Sequence, residues 1–294
     1  MVDNGKGQVG FAAFRQTGVC SITMRRLAVR PRSPALWPFI AAFHYNETEL
    51  PFAVERILPT GQAHLLVNLH EDEFRTYNGP DCKTVQATCG AIFAGPHGRS
   101  TGLDTKEQRQ LIAVEFKHAG AAAFFPMPLM DVCDQVIGLD LVWGRDGRLL
   151  RERLCEKLTA SEKFALLEAK LLERLKSDLD PAIAAAVKFL EHGVSVLATA
   201  SRVGLLPKTF GRHFCHQVGL NPKRFWRVRR MQRVIASVQR PARLDWCAIA
   251  AKYGYADQAH LIHDFRDLTG ITPSAYRPSS PERRNHVAVV SAGS

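Results

Sequence analysis

The chain has 294 residues and carries 39 Lys+Arg against 28 Asp+Glu, a formal net charge of +11. At ~150 residues per domain this is room for about two domains, and 46% hydrophobic with 23% charged residues excludes wholesale disorder. The longest uncharged apolar runs, Ser33 to Asn46 and Ala119 to Met130, fall short of the ~20 residues that a bilayer span needs, so no membrane partner is expected.

Residues 1–33 open with Gly5, Gly7 and Gly10 in a literal G-x-G-x-x-G. No strand can feed that motif and no helix leaves it, so it reads as part of a flexible N-terminal tail rather than a nucleotide site. No basic-then-apolar leader is visible at the start. Seven scattered cysteines (Cys20, Cys82, Cys89, Cys133, Cys155, Cys215, Cys247) without a C-x-x-C fit free thiols in a reducing cytoplasm.

From residue 36 to 116, short apolar runs meet Gly/Pro/Asn turns: Phe52 to Leu58, Gln62 to Leu69, Phe74 to Tyr77, Ala91 to Ala94 and Leu111 to Phe116. This spacing predicts antiparallel strands in a barrel or sandwich. Leu149 to Leu158 and Phe164 to Leu175 then carry leucine at helical spacing, predicting two amphipathic helices. Asp180-Pro181 is an N-cap followed by proline in the first turn, and the domain boundary is placed there. The expected units are thus 34–180, a barrel-like sensor or dimerisation domain with a helical extension, 181–278, an all-helical domain, and a disordered tail at 279–294.

Charge separates the halves. Residues 1–180 hold 22 charges of each sign, whereas residues 181–294 hold 17 Lys+Arg and 6 Asp+Glu. All the net charge therefore lies in the C-terminal part, which points to a polyanionic partner, either nucleic acid or an anionic membrane surface.

The same part contains a repeat. The segment from His213 to Phe225 recurs 51 residues later from Asp264 to Tyr276, pairing Phe214 with Phe265, Gly219 with Gly270, Leu220 with Ile271 and Pro222 with Pro273. Upstream, Gly204 pairs with Gly254. Each glycine separates a short helix (Val196 to Val203; Trp246 to Tyr253) from a second one (Pro207 to Val218; Asp257 to Thr269). This is a tandem helix-turn-helix, whose second helices are presented to a DNA major groove. A membrane-binding face does not explain two such units, so double-stranded DNA is the expected partner.

These residues, above all Gly254-Tyr255-Ala256-Asp257-Gln258-Ala259-His260-Leu261 and Gly270-Ile271-Thr272-Pro273-Ser274-Ala275-Tyr276-Arg277, resemble the DNA-binding domain of AraC/XylS transcriptional regulators. Glu55 to Gly61 and Leu65 to Leu69 resemble a sensor domain often joined to such regulators. The resemblance implies two recognition helices joined by a long helix from Pro222 towards Val238, entering successive major-groove segments on one DNA face. It also implies RNA polymerase as a partner, a small-molecule effector and a homodimer. The whole is an α+β architecture. In place of the small residues that open each recognition helix in the family stand Leu206 and Ala256, which accept no N–H bond and lose roughly 1 kcal/mol of capping each; Asp257 is the better cap. An arginine common later in the second recognition helix is replaced by His263.

Lys208, Thr209 and Arg212 are expected to read bases, with Phe210 and Phe214 facing the core, because i and i+4 positions share a helix face. On the second helix Gln258, His260 and His263 are the base-reading candidates, and Asp257 and Asp264 would repel the backbone. Arg224, Arg227, Arg229 and Arg233 on the linking helix, with Arg277, are the phosphate candidates, with at least one linking-helix arginine expected to pair internally. Arg56, His64 and Asn68 are candidates to orient an effector inside the strand segment, and Leu171, Leu172 and Leu175 form either a dimer seam or core. His213, Cys215 and His216 lack a partner pair for zinc, and the His70-Glu71-Asp72-Glu73 run reads as a solvated hairpin turn. No catalytic motif, metal site or cofactor is expected. The alternatives are a metal-dependent barrel enzyme with secondary DNA binding, and a non-specific DNA-packaging protein.

Overall fold

The computed structural model describes residues 25–79, 82, 84–176, 178–238 and 245–289. The Gly5–Gly10 motif and Cys20 lie outside the described residues.

Among the described residues, eleven strands form two antiparallel sheets. The first orders β1(Arg25–Val29), β2(Ile40–Glu47), β9(Leu111–Phe116), β4(His64–Asn68), β7(Ala91–Ala94) and β10(Val136–Gly138). The second orders β11(His286–Ala288), β3(Val54–Ile57), β8(Thr101–Asp104), β5(Glu73–Asn78) and β6(Thr84–Cys89). The strand-and-turn pattern therefore lands on an antiparallel β domain, and among the described residues the sheets do not close into a barrel. Strand β6 is mostly exposed along its length and β1 is an edge strand, so neither shows an apolar alternation in sequence.

Three helices, α1(Leu139–Trp143), α2(Arg145–Cys155) and α3(Ala160–Arg174), cover the first sheet. Helix α3 opens with a capping box between Thr159 and Glu162. Its Leu171 is fully buried among Phe43, Phe164 and Leu167, so that residue belongs to the core, while Leu172 remains exposed.

Helix α4(Pro181–Glu191) starts as expected, with the Asp180 side chain accepting from the Ala182 and Ile183 amides. There follow α5(Val196–Arg202), α6(Pro207–Val218), α7(Pro222–Ser237), α8(Trp246–Lys252) and α9(Gln258–Thr269). The turns close on left-handed glycines, Gly204 at φ +70° and Gly254 at φ +72°, which a side chain would strain. One core gathers Phe210, Phe214 and Phe225 with Ile183 and Leu190. A second gathers Leu261 and Tyr255 with Val234, and a third gathers Phe265, Leu268 and Tyr276 with Val228 and Met231 of α7.

Within the described residues, parts of both expected tails are structured. Arg25–Val29, expected as flexible, pairs with β2, because Leu27 packs on the core beside it. The tail from 279, expected as disordered, forms β11 on β3, with His286 opposite Ile57 and Ala288 opposite Glu55. Its anchor is chemical as well as apolar. Val287 joins the core of Leu58, Val228 and Tyr276. Buried Glu55 accepts from Arg283, from His286 at 2.8 Å, from Gln108 at 2.8 Å and from Ser279 at 3.1 Å. Burial alone would raise the Glu55 carboxyl, but the His286 hydrogen bond and the His286 and Arg283 charges outweigh it and hold it low.

Candidate nucleic-acid interface

Helix α6 buries Phe210, Phe214 and Val218 and leaves Lys208 and Arg212 exposed, with Thr209 half-buried. Lys208 and Arg212 lie one turn apart, and among the described residues neither has a carboxylate partner. Leu206 stands at the N-cap with no side-chain bond and is 76% exposed, so α6 does lack a side-chain cap. The C-terminal end of α6 seats on the N-terminal domain, where Gly219 (φ +84°) meets Pro96 and the Leu129 carbonyl.

Helix α9 buries Leu261, Asp264, Phe265 and Leu268 and exposes Gln258, His260 and His263. Its cap is Asp257, whose side chain accepts from the His260 amide at 2.7 Å, so α9 has the cap that Ala256 could not supply. The His260 ring returns the bond, accepting from the Ala256 amide through Nδ1 at 3.3 Å. That tautomer leaves Nε2–H pointing away as a donor. The Gln258 carbonyl oxygen accepts from Cys247 Sγ at 3.2 Å, leaving its amide NH2 outward. Arg266, one turn after His263 and equally exposed, was missed in the sequence; the i, i+3 spacing on the same face is the signal that marks it.

Asp264 does not repel a DNA backbone. It is buried and receives Arg227 at 2.6 Å and Arg230 at 2.9 Å, while Asp267 takes the other arm of Arg227 at 2.6 Å. Arg230 also stacks on Trp226 and Tyr255 and donates to the Gly254 carbonyl, locking the second unit to α7.

The linking-helix arginines are largely committed to the protein. Arg224 pairs with Asp134 at 2.5 Å, Arg229 faces Glu191 at 3.7 Å, and Arg233 is half-buried against Gly193. Burial lowers the Arg229 and Arg233 guanidiniums from their ordinary range, Glu191 opposing this for Arg229. Only Arg277 of the five phosphate candidates is exposed, its guanidinium held by the Ser274 and Tyr276 carbonyls at 2.9 Å.

The three effector candidates are not brought together. Asn68 is buried, donating to the Glu73 carbonyl and accepting from the His70 and Glu71 amides, so it shapes the β4–β5 hairpin turn. Arg56 is buried and donates to Ser100 and to the Thr269 carbonyl of α9 at 3.2 Å. His64 sits opposite Glu115 in the sheet. Burial pulls its imidazole down to about 4, with Glu115 opposing and His44 and His97 adding to the shift. The Glu115 carboxyl is held at about 2 by its His44 bond at 2.9 Å, against burial and assisted by His64 and Gln62.

Cys215, His213 and His216 share no metal geometry: among the described residues no group of three or more His, Cys, Asp or Glu is placed to hold an ion. No described helix is long and apolar enough to cross a membrane.

The profile of a helix-turn-helix domain matches residues 199–279, and that of a domain of unknown function, DUF6597, matches residues 29–138. No curated protein matches the chain. Among solved structures, ToxT from Vibrio cholerae is 10% identical, the alignment covering 80% of this chain and 98% of that one, with a TM-score of 0.43. A second ToxT structure, bound to (E)-4-(8-methylnaphthalen-1-yl)but-3-enoic acid, is 9% identical over 80% and 98% of the two chains, with a TM-score of 0.44.

Proposed function

By its C-terminal AraC-type helix-turn-helix domain this chain is a DNA-binding regulator of transcription, and we propose that it reads specific operator sequences with α6 and α9 in successive major grooves. The observation that carries this reading is the asymmetry of α6. Its aromatic face is spent on the core, while Lys208 and Arg212 stand exposed one turn apart without carboxylates among the described residues. Arginine is the side chain suited to bidentate contact with guanine, and lysine to the same acceptors or to phosphate. Gln258, the outward Nε2 of His260, and His263 supply the second block. Of the phosphate candidates, Arg277 keeps that role, and Arg224, Arg227, Arg229 and Arg233 serve first to fix the helices.

The N-terminal domain regulates this binding in response to a small ligand or through dimerisation, from a cytoplasmic location. Regulation needs physical coupling between the domains. The Arg224–Asp134 pair, the bonds from Arg56 and Ser100 to the Thr269 carbonyl, and Ala119 in the helical core all support it. His64, beside His44, Gln62 and Glu115, is the effector candidate carried forward.

The test is binding of the purified full chain to a selected duplex and to scrambled duplexes at near-physiological salt. A specific regulator prefers its site by ~10³-fold or more. Equal affinity for all sequences would support a packaging protein and defeat the reading.

A further inference from the structure

We propose that Arg99, a residue of the N-terminal domain, contacts the phosphate backbone of the DNA engaged by α9; this rests on the reading of α9 as a recognition helix.

Arg99 lies in the loop between β7 and β8, and that loop is fixed to the C-terminal end of α9. The Ser100 amide donates to the Leu268 carbonyl at 2.9 Å, and the Ser100 hydroxyl donates to the Thr269 carbonyl at 2.8 Å. Arg56 reinforces the joint, donating to the same Thr269 carbonyl and to the Ser100 hydroxyl. Arg99 is therefore held in register with α9 although it belongs to the other domain. Together Arg99, His263 and Arg266 line one cleft of about 550 Å³, along with Asp134 and Asp267.

The local charge is unbalanced. Asp264 is spent on Arg227 and Arg230, and Asp267 is bound to Arg227 at 2.6 Å. Arg99 only approaches Asp267 at 3.8 Å, and its side chain is 68% exposed. Arg266 has no carboxylate among the described residues. With Asp134, which also lines the cleft and is bound by Arg224, five guanidiniums stand against three carboxylates, leaving a surplus of two positive charges where α9 meets the loop. In helix-in-groove docking the flanks of the recognition helix pass along the sugar-phosphate strands. An exposed arginine on such a flank, its loop held at Ser100 and its one nearby carboxylate, Asp267, bound more closely by Arg227, meets phosphate rather than base.

The experiment measures affinity against salt concentration for the full chain on its selected duplex and on a scrambled one, for the wild type, Arg99→Gln and Arg99→Lys. Arg99→Gln is expected to weaken both complexes several-fold by the same factor and to make the slope of log K against log salt shallower by about 1. Arg99→Lys restores the slope, because a phosphate contact needs charge rather than the guanidinium fork. An unchanged slope in Arg99→Gln, with an unchanged melting curve, overturns the assignment while leaving operator recognition intact. A wild-type chain that binds no DNA overturns both.

Discussion

Asp264 of α9 and Arg230 of α7 form an ion pair at 2.9 Å, with each side chain only 4% exposed. Removing one member of a buried pair strands the other charge, a loss of about 3–5 kcal/mol. Arg227 also loses one of its two carboxylates, keeping Asp267 at 2.6 Å. Asp264→Ala is expected to unfold the second unit at lower temperature and to abolish its half of the DNA footprint while the first half persists. Differential scanning calorimetry with footprinting checks both.

A contrast between arginines follows from their surroundings. Arg212→Ala should cost about 1–3 kcal/mol of binding to the selected duplex and relax preference at one or two base pairs. Its melting temperature should stay near wild type, since the side chain is exposed. Arg227→Ala should do the reverse, lowering thermal stability because Asp264 and Asp267 lose a shared partner. Titrations on duplex variants, paired with melting curves, separate the two.

The recognition helices differ in their caps, and capping is transferable. Asp257→Ala should destabilise by about 1 kcal/mol, whereas Leu206→Ser should stabilise by a comparable amount by supplying the missing acceptor. Urea unfolding of the three chains at neutral pH measures both signs.

Acid should weaken the N-terminal sheet in two stages. His64 titrates at about 4 in the fold against an ordinary 6.5, so the unfolded chain binds a proton that the folded one refuses. Its stabilisation is complete above 6.5 and is lost as pH falls towards 4. Glu115, held at about 2 against an ordinary 4.5, contributes fully above 4.5 and loses its contribution below that. Replacing His64 by Gln should flatten the pH 6.5 to 4 limb by an amount on the order of 2 kcal/mol. Unfolding free energy followed across that window is the check.

How much of this was legible in the sequence depends on the kind of interaction. The helix-turn-helix repeat was legible because its determinants are local: Gly204, Gly219, Gly254 and Gly270 all adopt positive φ, and Phe210, Phe214, Leu261 and Phe265 recur at helical spacing. The N-cap at Asp180 was legible for the same reason. Charge partners were not, because pairing is set by the tertiary fold. Asp264 read as a surface carboxylate facing DNA and is a buried counter-ion, and Arg224 read as a phosphate ligand and bridges to Asp134. Nor does the string of residues 279–289 show that it pairs with a strand more than 220 residues away, since its anchors, Glu55 and Gln108, belong to the N-terminal part of the chain. The turn bonding of Asn68 was not legible either, because its side chain at a strand end is claimed by the turn that follows it.

The most direct measurement of the central claim is selection from random duplex DNA by the purified full chain, with sequencing of the bound pool. Two recognition helices in successive grooves predict an enriched site of two short blocks about 10 base pairs apart. A folded chain that enriches no sequence, at any salt concentration at which it still binds DNA, would contradict the account.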